Sequence, residues 1–286
     1  MFRNNATSYM RSLNQLQYVA IICLALVLSN GSAIAQVFKG NVKDQKTNKA
    51  LPFVNVGIVG QSVGTVTDTA GNFTIQLAEH DMDSLRISMI GYYPQSFLVA
   101  AIKKDPGQLN IKLKPQTIQL KEVKVTNHTF KEVTLGNTTE STSTDAGFTS
   151  NKLGNEIGAI IKIKKSPTFL KRFNASLAHP APDSVKLRLN IYSVKGGLPD
   201  KNLLQRNIFI TVKRGQNKIS VDLQPFFIEV DDKFFISLEW IENSPGRGLM
   251  FSASLFSSAI IARETSQANW EKVGIAGVGF NVLAEY

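Results

Sequence analysis

From residue 36 onward the chain is cut into short alternating segments by glycine, asparagine, aspartate and proline, and no stretch sustains an apolar stripe at helical spacing. A period of two places successive side chains on opposite faces of a strand, whereas a helix needs apolar positions three and four residues apart. The pattern therefore restricts the chain to sheets. Val185, Leu187, Leu189 and Ile191 point one way while Lys186, Arg188 and Asn190 point the other, and Phe234, Ile236, Leu238 and Trp240 alternate likewise with Phe235, Ser237 and Glu239. Such segments predict sheets with one buried and one wet face. In Leu51–Val59, by contrast, Val54, Val56 and Ile58 share one face and Phe53, Asn55, Gly57 and Val59 the other, which predicts burial on much of both sides.

The amino end follows a different logic. Arg3 and Arg11 precede an apolar run, Tyr18–Leu28, and Ala33-Ile34-Ala35 supply small residues where a signal peptidase cuts. Residues 1–35 are read as a signal peptide. About 11 apolar residues are too few for a retained membrane span. Removing 35 of the 286 residues leaves 251, and with Arg3 and Arg11 gone the formal charge falls from +10 to +8. Cys23 is the one cysteine and leaves with the apolar run, so the remaining chain has no disulfide and no thiol nucleophile.

Residues 36–125 are expected to form one sandwich, with core positions at Phe53, Val56, Phe73 and Ile87 and tight reversals at Gly71 and Gly91. From 126 to 150, 11 of 25 residues are Ser or Thr. That composition buries little and predicts a linker, with an edge strand at 130–135 as the alternative. Residues 151–286 read as a second strand-rich unit, with 199–205 as a short helical crossing. The fold class is all-β: a seven-stranded sandwich followed by a jelly-roll-like sandwich.

The segments Gly40-Asn41-Val42-Lys43-Asp44, Leu51-Pro52-Phe53-Val54-Asn55-Val56, Gly64 through Phe73 (GTVTDTAGNF) and Ile87-Ser88-Met89-Ile90-Gly91-Tyr92 carry a family resemblance, closed by Leu120–Val125 (LKEVKV). They resemble the carboxypeptidase-regulatory-like, or transthyretin/prealbumin-like, domain of exported Bacteroidetes proteins. The resemblance implies a fold and no chemistry, because in the enzymes of that name the module is an accessory to a separate zinc domain. Leu187–Leu198, Phe235–Trp240 and the terminal GFNVLAEY are similar to an uncharacterised sandwich found beside this module in some such proteins.

Catalytic motifs are not evident. His80, His128 and His179 are dispersed, with no HExxH pattern and no Gly-x-Ser-x-Gly elbow. Gly274–Gly279 lacks the lysine and helix of a phosphate loop. No catalytic, cofactor or metal residue is assigned. The candidate ligand surface is a basic cluster, Lys162, Lys164, Lys165, Lys171 and Arg172, with Lys162 and Lys164 on one strand face, together with the aromatics Tyr192, Trp240 and Trp270 as sugar-stacking platforms.

The sequence thus predicts a non-enzymatic exported binding or scaffolding protein of the cell envelope, in the periplasm, at the outer-membrane periphery or outside the cell. Its partner would be a glycan or an envelope protein, with peripheral membrane association and no nucleic acid. Three alternatives stand beside it: an accessory component of an outer-membrane transport or assembly complex, a hydrolase with an unrecognised site, and a small outer-membrane barrel, for which Phe280, Val282, Ala284 and Tyr286 alternate suitably.

Overall fold

A computed structural model of the chain describes residues 37–104, 107–116, 130–244 and 248–286. The expected signal peptide, the closing segment 120–125 and His128 lie outside the described residues. Val37–Tyr286 form one compact unit made of two strand-built halves with separate hydrophobic cores.

The first half contains β1 (Val37–Asp44), β2 (Asn55–Ile58), β3 (Gly64–Val66), β4 (Asn72–Gln76), β5 (Ser84–Ser88), β6 (Gln95–Leu98), a short helix α1 (Val99–Lys104) and β7 (Leu109–Leu113). Two sheets, β4-β1-β7 and β3-β2-β5-β6, provide the seven expected strands. Only β1 with β7 is parallel among their pairings. Period-two alternation sends Phe38, Val42, Phe73, Ile75, Leu85, Ile87, Ile111 and Leu113 inward against Val54, Val56 and Ile58. Gly71 turns the chain at φ 76°, where a Cβ would meet the Val42 carbonyl. The Tyr92 hydroxyl, just past the Gly91 turn, donates to Asp44 at 2.9 Å and fastens that turn to β1.

The second half contains β8 (Glu132–Gly136), β9 (Asp145–Gly147), β10 (Glu156–Ile161), β11 (Thr168–Ser176), β12 (Val185–Lys195), β13 (Leu198–Asn202), β14 (Ile208–Val212) and β15 (Lys218–Asp222). It continues with β16 (Glu229–Val230), β17 (Phe234–Trp240), β18 (Met250–Leu255), β19 (Ile260–Arg263), β20 (Glu271–Val273), β21 (Ala276–Val278) and β22 (Phe280–Glu285). One sheet runs β13-β12-β17-β10-β19-β20 with β14 also on β12, the facing one runs β15-β11-β22-β8 with β16 on β11, and a small third runs β21-β18-β9. Together they form the jelly-roll-like sandwich. Trp240, Phe148, Phe251, Phe280 and Phe173 link its middle through a chain of edge-to-face contacts.

Several expectations need correction. The described part of the expected linker, 130–150, is built into the second sandwich: β8 pairs with β22, β9 pairs with β18, and Leu135 and Phe148 enter the core. Its many Ser and Thr residues sit on the exposed sides and in the β8–β9 connection. Residues 199–205 are not helical, because Pro199 lies in β13, an edge strand where a missing N–H breaks no ladder. Lys162 and Lys164 are not on a strand face, since β10 ends at Ile161. Phe280, Val282 and Ala284 are fully buried between two open sheets, so their alternation builds a core instead of a barrel wall.

The largest difference concerns the face of β12 and β17 read as wet. Arg188 is only 2% exposed, and Asn190, Ser237, Glu239 and Glu156 are as fully enclosed. The first sandwich lies over the Arg188 end of this face. The Arg188 guanidinium donates to Glu239 Oε2 through Nε (2.9 Å) and Nη2 (2.8 Å), to the Phe53 carbonyl (2.8 Å) and to the Asn55 side chain. Phe53 itself sits at φ 60°, a strained conformation for a bulky residue, held by the Arg188 bond and by its own N–H to Thr67 O at 3.1 Å.

Next along the same face, Glu156 accepts from Asn190 (2.9 Å), Tyr192 (3.1 Å), Ser237 and Arg263 (2.6 Å), while the Arg263 guanidinium lies 4.5 Å from the Trp270 ring centroid. Two buried carboxylates thus balance two buried guanidinium groups. Alongside them the backbones meet directly: Gly57 and Gly64 pack on the Ser266 carbonyl, where any Cβ would collide. Gly60 N–H bonds Gln267 O at 2.9 Å, and Gln267 reaches Ser88 at 2.9 Å.

This joint generates three predictions. Arg188→Ala strands Glu239 in a dry setting and removes the partner of the Phe53 carbonyl, so it lowers unfolding stability by about 3–5 kcal/mol in urea titrations. Gly57→Val forces Ser266 away and costs about 1–3 kcal/mol. The third prediction concerns pH. Burial raises the Glu156 carboxyl above 4.5, Arg263 opposes that shift and the charge of Glu239 adds to it. A carboxyl with a higher pKa in the folded state takes up a proton on folding, so its contribution is fully present below 4.5 and is lost as pH rises through the raised value. Glu156→Gln is therefore expected to flatten the decline in urea midpoint over that window, and an unchanged profile would contradict the assignment.

Candidate functional site

The joint leaves an open cleft of about 490 Å³ between the sandwiches. The first sandwich contributes Thr65 and Val66 of β3, the turn Thr67–Asp68–Thr69, and Asn72, Phe73 and Thr74 of β4. Leu153 and the residues that follow β17, Ile241, Glu242 and Asn243, form the opposite wall. Phe53, Val66, Ile241 and Leu153 pack together as a small apolar floor bridging the two halves.

Local hydrogen bonds hold the polar lining in place. Asp68 Oδ1 accepts from the N–H groups of Ala70 (2.9 Å) and Asn72 (2.8 Å), closing the turn that Gly71 permits. Asn41 bonds Asn72 at 2.8 Å from β1. Thr67 is wholly structural: it donates to Leu51 O at 2.9 Å and accepts from Val54 N at 2.8 Å. Glu242 pairs with Lys186 at 3.0 Å, and that ammonium lies 4.9 Å from the Phe53 ring centroid.

Four polar side chains on the cleft, those of Thr65, Thr69, Thr74 and Asn243, make no hydrogen bond or ion pair within the described residues. They offer hydroxyl and amide groups above an apolar floor. The nearby charges are the carboxylates Asp68 and Glu242, and Lys186 is already engaged. This lining suits a neutral, hydroxyl-rich ligand better than an anion.

The residues singled out from sequence do not form one surface. Lys162, Lys164 and Lys165 are exposed in the β10–β11 connection, and Arg172 is exposed on β11. Lys171 is engaged by Glu132 and Glu285, both at 2.9 Å, which together with their charges raise its pKa. Trp240 is fully buried and packs edge-on against Phe148 at 5.3 Å. Tyr192 is buried beside Glu156, and desolvation followed by that carboxylate pushes its phenol well above the ordinary value. Trp270 is half-buried, with one face on Arg263 and its ring against Phe235 and Tyr192. Trp240 and Tyr192 therefore present no free stacking face, and Arg263 covers one face of Trp270.

The histidines do not converge either. His80 bonds Asp83 at 2.8 Å in the first sandwich, and His179 lies 3.4 Å from Asp145 in the second. Among the described residues no group of three His, Cys, Asp or Glu side chains could hold a metal ion, and no helix is long and apolar enough to cross a membrane. Sequence reasoning missed the cleft because its two walls are far apart in the chain. The one available signal was the GTVTDTAGN turn, read there for its conformation alone.

Comparison with known proteins bears mainly on the first half. A stretch of 109 residues is 38% identical to the TonB-dependent receptor SusC of Bacteroides thetaiotaomicron, covering 37% of this chain and only 10% of the receptor. This chain thus spans about a tenth of that relative's length. Among solved structures, the cysteine protease and lectin-like domains of a surface layer associated protein of Clostridium difficile align with 7% identity and a TM-score of 0.40, over 54% of this chain and 36% of that one. A clostridial cysteine protease after propeptide cleavage aligns with 8% identity and a TM-score of 0.39, over 86% and 70%. No property is carried over from either structure. Residues 38–125 match the model of the CarboxypepD_reg-like domain, a β-sandwich that is itself non-catalytic. Residues 38–125 of this chain thus match a carboxypeptidase-regulatory-like domain, and the second sandwich lies outside the residues that the family model matches.

Proposed function

We propose that the chain is a non-enzymatic, exported binding protein of the cell envelope that takes a neutral carbohydrate in the cleft between its two sandwiches. The observation that carries this reading is the set of four unengaged polar side chains, Thr65, Thr69, Thr74 and Asn243, over the apolar floor of Phe53, Val66, Leu153 and Ile241. Sugars present both faces of this chemistry, hydroxyl edges and C–H patches. The buried joint keeps the two walls at a fixed separation, so little ordering is needed on binding. The non-catalytic character of the regulatory-like domain and the dispersed histidines accord with binding in place of turnover.

A second reading, an accessory component of an outer-membrane transport or assembly complex, is favoured by the 38% identity to part of a TonB-dependent receptor. Under it the regulatory-like domain would dock a membrane partner, and the cleft would be incidental.

The two readings separate on a glycan array probed with the Val37–Tyr286 unit. Selective retention of neutral glycans is expected, together with about a thirtyfold loss of affinity in Thr69→Ala/Asn243→Ala, since two hydrogen bonds of about 1 kcal/mol each are removed. No selective retention, or retention indifferent to that double substitution, would sink the carbohydrate reading. Detergent-stable co-purification with a TonB-dependent receptor, in the absence of any glycan binding, would replace it with the second.

A further inference from the structure

The end of the second sandwich remote from the cleft carries a feature that glycan binding does not use. Phe256 is 82% exposed at φ 57°, and its N–H bonds the carbonyl of Ile275, itself 63% exposed, at 2.8 Å. Leu255 and Val273 are about half exposed beside them, with Leu255 opposite Ala276 and Val273 opposite Ile260. Four large apolar side chains thus project from two adjoining turns, β18–β19 and β20–β21. Chain length between strands does not force this arrangement. A phenylalanine held at positive φ and turned to solvent is an unfavourable choice for a turn that only needs to reverse direction.

The fingertip is also firmly mounted. Asn137 at the end of β8 donates to Ser254 (2.9 Å), Ser257 (3.3 Å) and the Gly277 carbonyl (2.8 Å), and Ser257 bonds Ser254 O at 3.1 Å. The exposed side chains therefore project from a fixed base.

The surroundings are basic. The pairings Ala159 with Ile260, Ile161 with Phe234 and Ser193 with Phe234 bring the end of β10, the end of β12 and the start of β17 to this same end. The exposed lysines there, Lys162, Lys164, Lys165, Lys195, Lys233 and Lys272, outnumber the carboxylates Glu229, Asp231, Asp232 and Glu271. None of the six makes an ion pair within the described residues. An exposed apolar tip at an end of the sandwich that carries lysines without ion pairs, of which Lys165 lies 5.2 Å from the Tyr286 ring centroid, is complementary to a layer with negative headgroups above hydrocarbon.

From this juxtaposition we propose that the Phe256–Ile275 fingertip is a docking site for an anionic lipid surface, entered by Leu255, Phe256, Val273 and Ile275 and steered by the surrounding lysines. The site is peripheral and reversible. It lies at the Phe234 end of β17, whereas the cleft lies beyond the Trp240 end, so either proposal can fail without the other.

The test is co-sedimentation of the Val37–Tyr286 unit with vesicles of phosphatidylethanolamine and phosphatidylglycerol, against vesicles of phosphatidylcholine alone. Wild type pellets with the anionic vesicles and stays in solution with the neutral ones. Phe256→Ser/Ile275→Ser weakens binding by about tenfold or more, and Lys162→Glu/Lys164→Glu by about fivefold or more per lysine. Both variants keep the wild-type melting temperature and glycan profile. As an independent readout, Phe256→Trp shows a blue-shifted emission component when anionic vesicles are added. Failure of wild type to pellet, equal pelleting with neutral vesicles, or full binding by the serine variant would each overturn the proposal. So would self-association through the tip in the absence of lipid.

Discussion

The guanidinium of Arg188 holds the two halves of this molecule in one arrangement. It lies in the second sandwich yet bonds the main chain and a side chain of the first, and its charge is met by Glu239 from the adjacent strand. An ion pair taken out of water gains little net stability by itself. Its value here is that the bonds close only when β2 sits directly over β12. The strained backbone of Phe53 and the side-chain-free approach of Gly57 and Gly64 to Ser266 depend on that same alignment. So does the cleft, whose two walls belong to different halves.

The alternation in the sequence correctly placed most of the strands, because inward-facing residues such as Phe73 and Ile75, or Leu187 and Leu189, are set by local period alone. It also registered that Leu51–Val59 is buried on much of both sides, although Val59 itself is exposed. The reason emerged only in three dimensions: Val54, Val56 and Ile58 face their own core, while Asn55 and Gly57 face the other sandwich. The same alternation misled at Arg188 and Asn190. Periodicity shows that the two faces of a strand differ in polarity, and it carries no information about whether water or another domain covers the polar one.

A further misreading has the same origin in long-range pairing. β8 and β9 are short and place few residues in the core, so their Ser/Thr-rich setting outweighed the signal from Leu135 and Phe148. The chain breaks after Leu255 into the turn that projects Phe256. Whether such a residue faces inward or outward is decided by a positive φ that a phenylalanine does not advertise. The cleft was illegible for a simpler reason, since the 65–74 turn and residues 241–243 meet only after both sandwiches have formed.

Strand β17 runs from the lysine-bearing end to the cleft, and its seven residues span about 20 Å at 3.3 Å per residue. With the fingertip resting on a surface, this strand becomes a spacer that sets how far above that surface a ligand is presented. Every side chain on β17 is buried: Phe234, Ile236, Leu238 and Trp240 lie in the second core, while on the opposite face Phe235 packs with Tyr192 and Ile261, and Ser237 and Glu239 enter the polar network. Inserting a single residue would exchange those two sets and destroy both. The standoff can therefore evolve only in increments of two residues, about 7 Å at a time, which makes presentation height a quantised property of the fold.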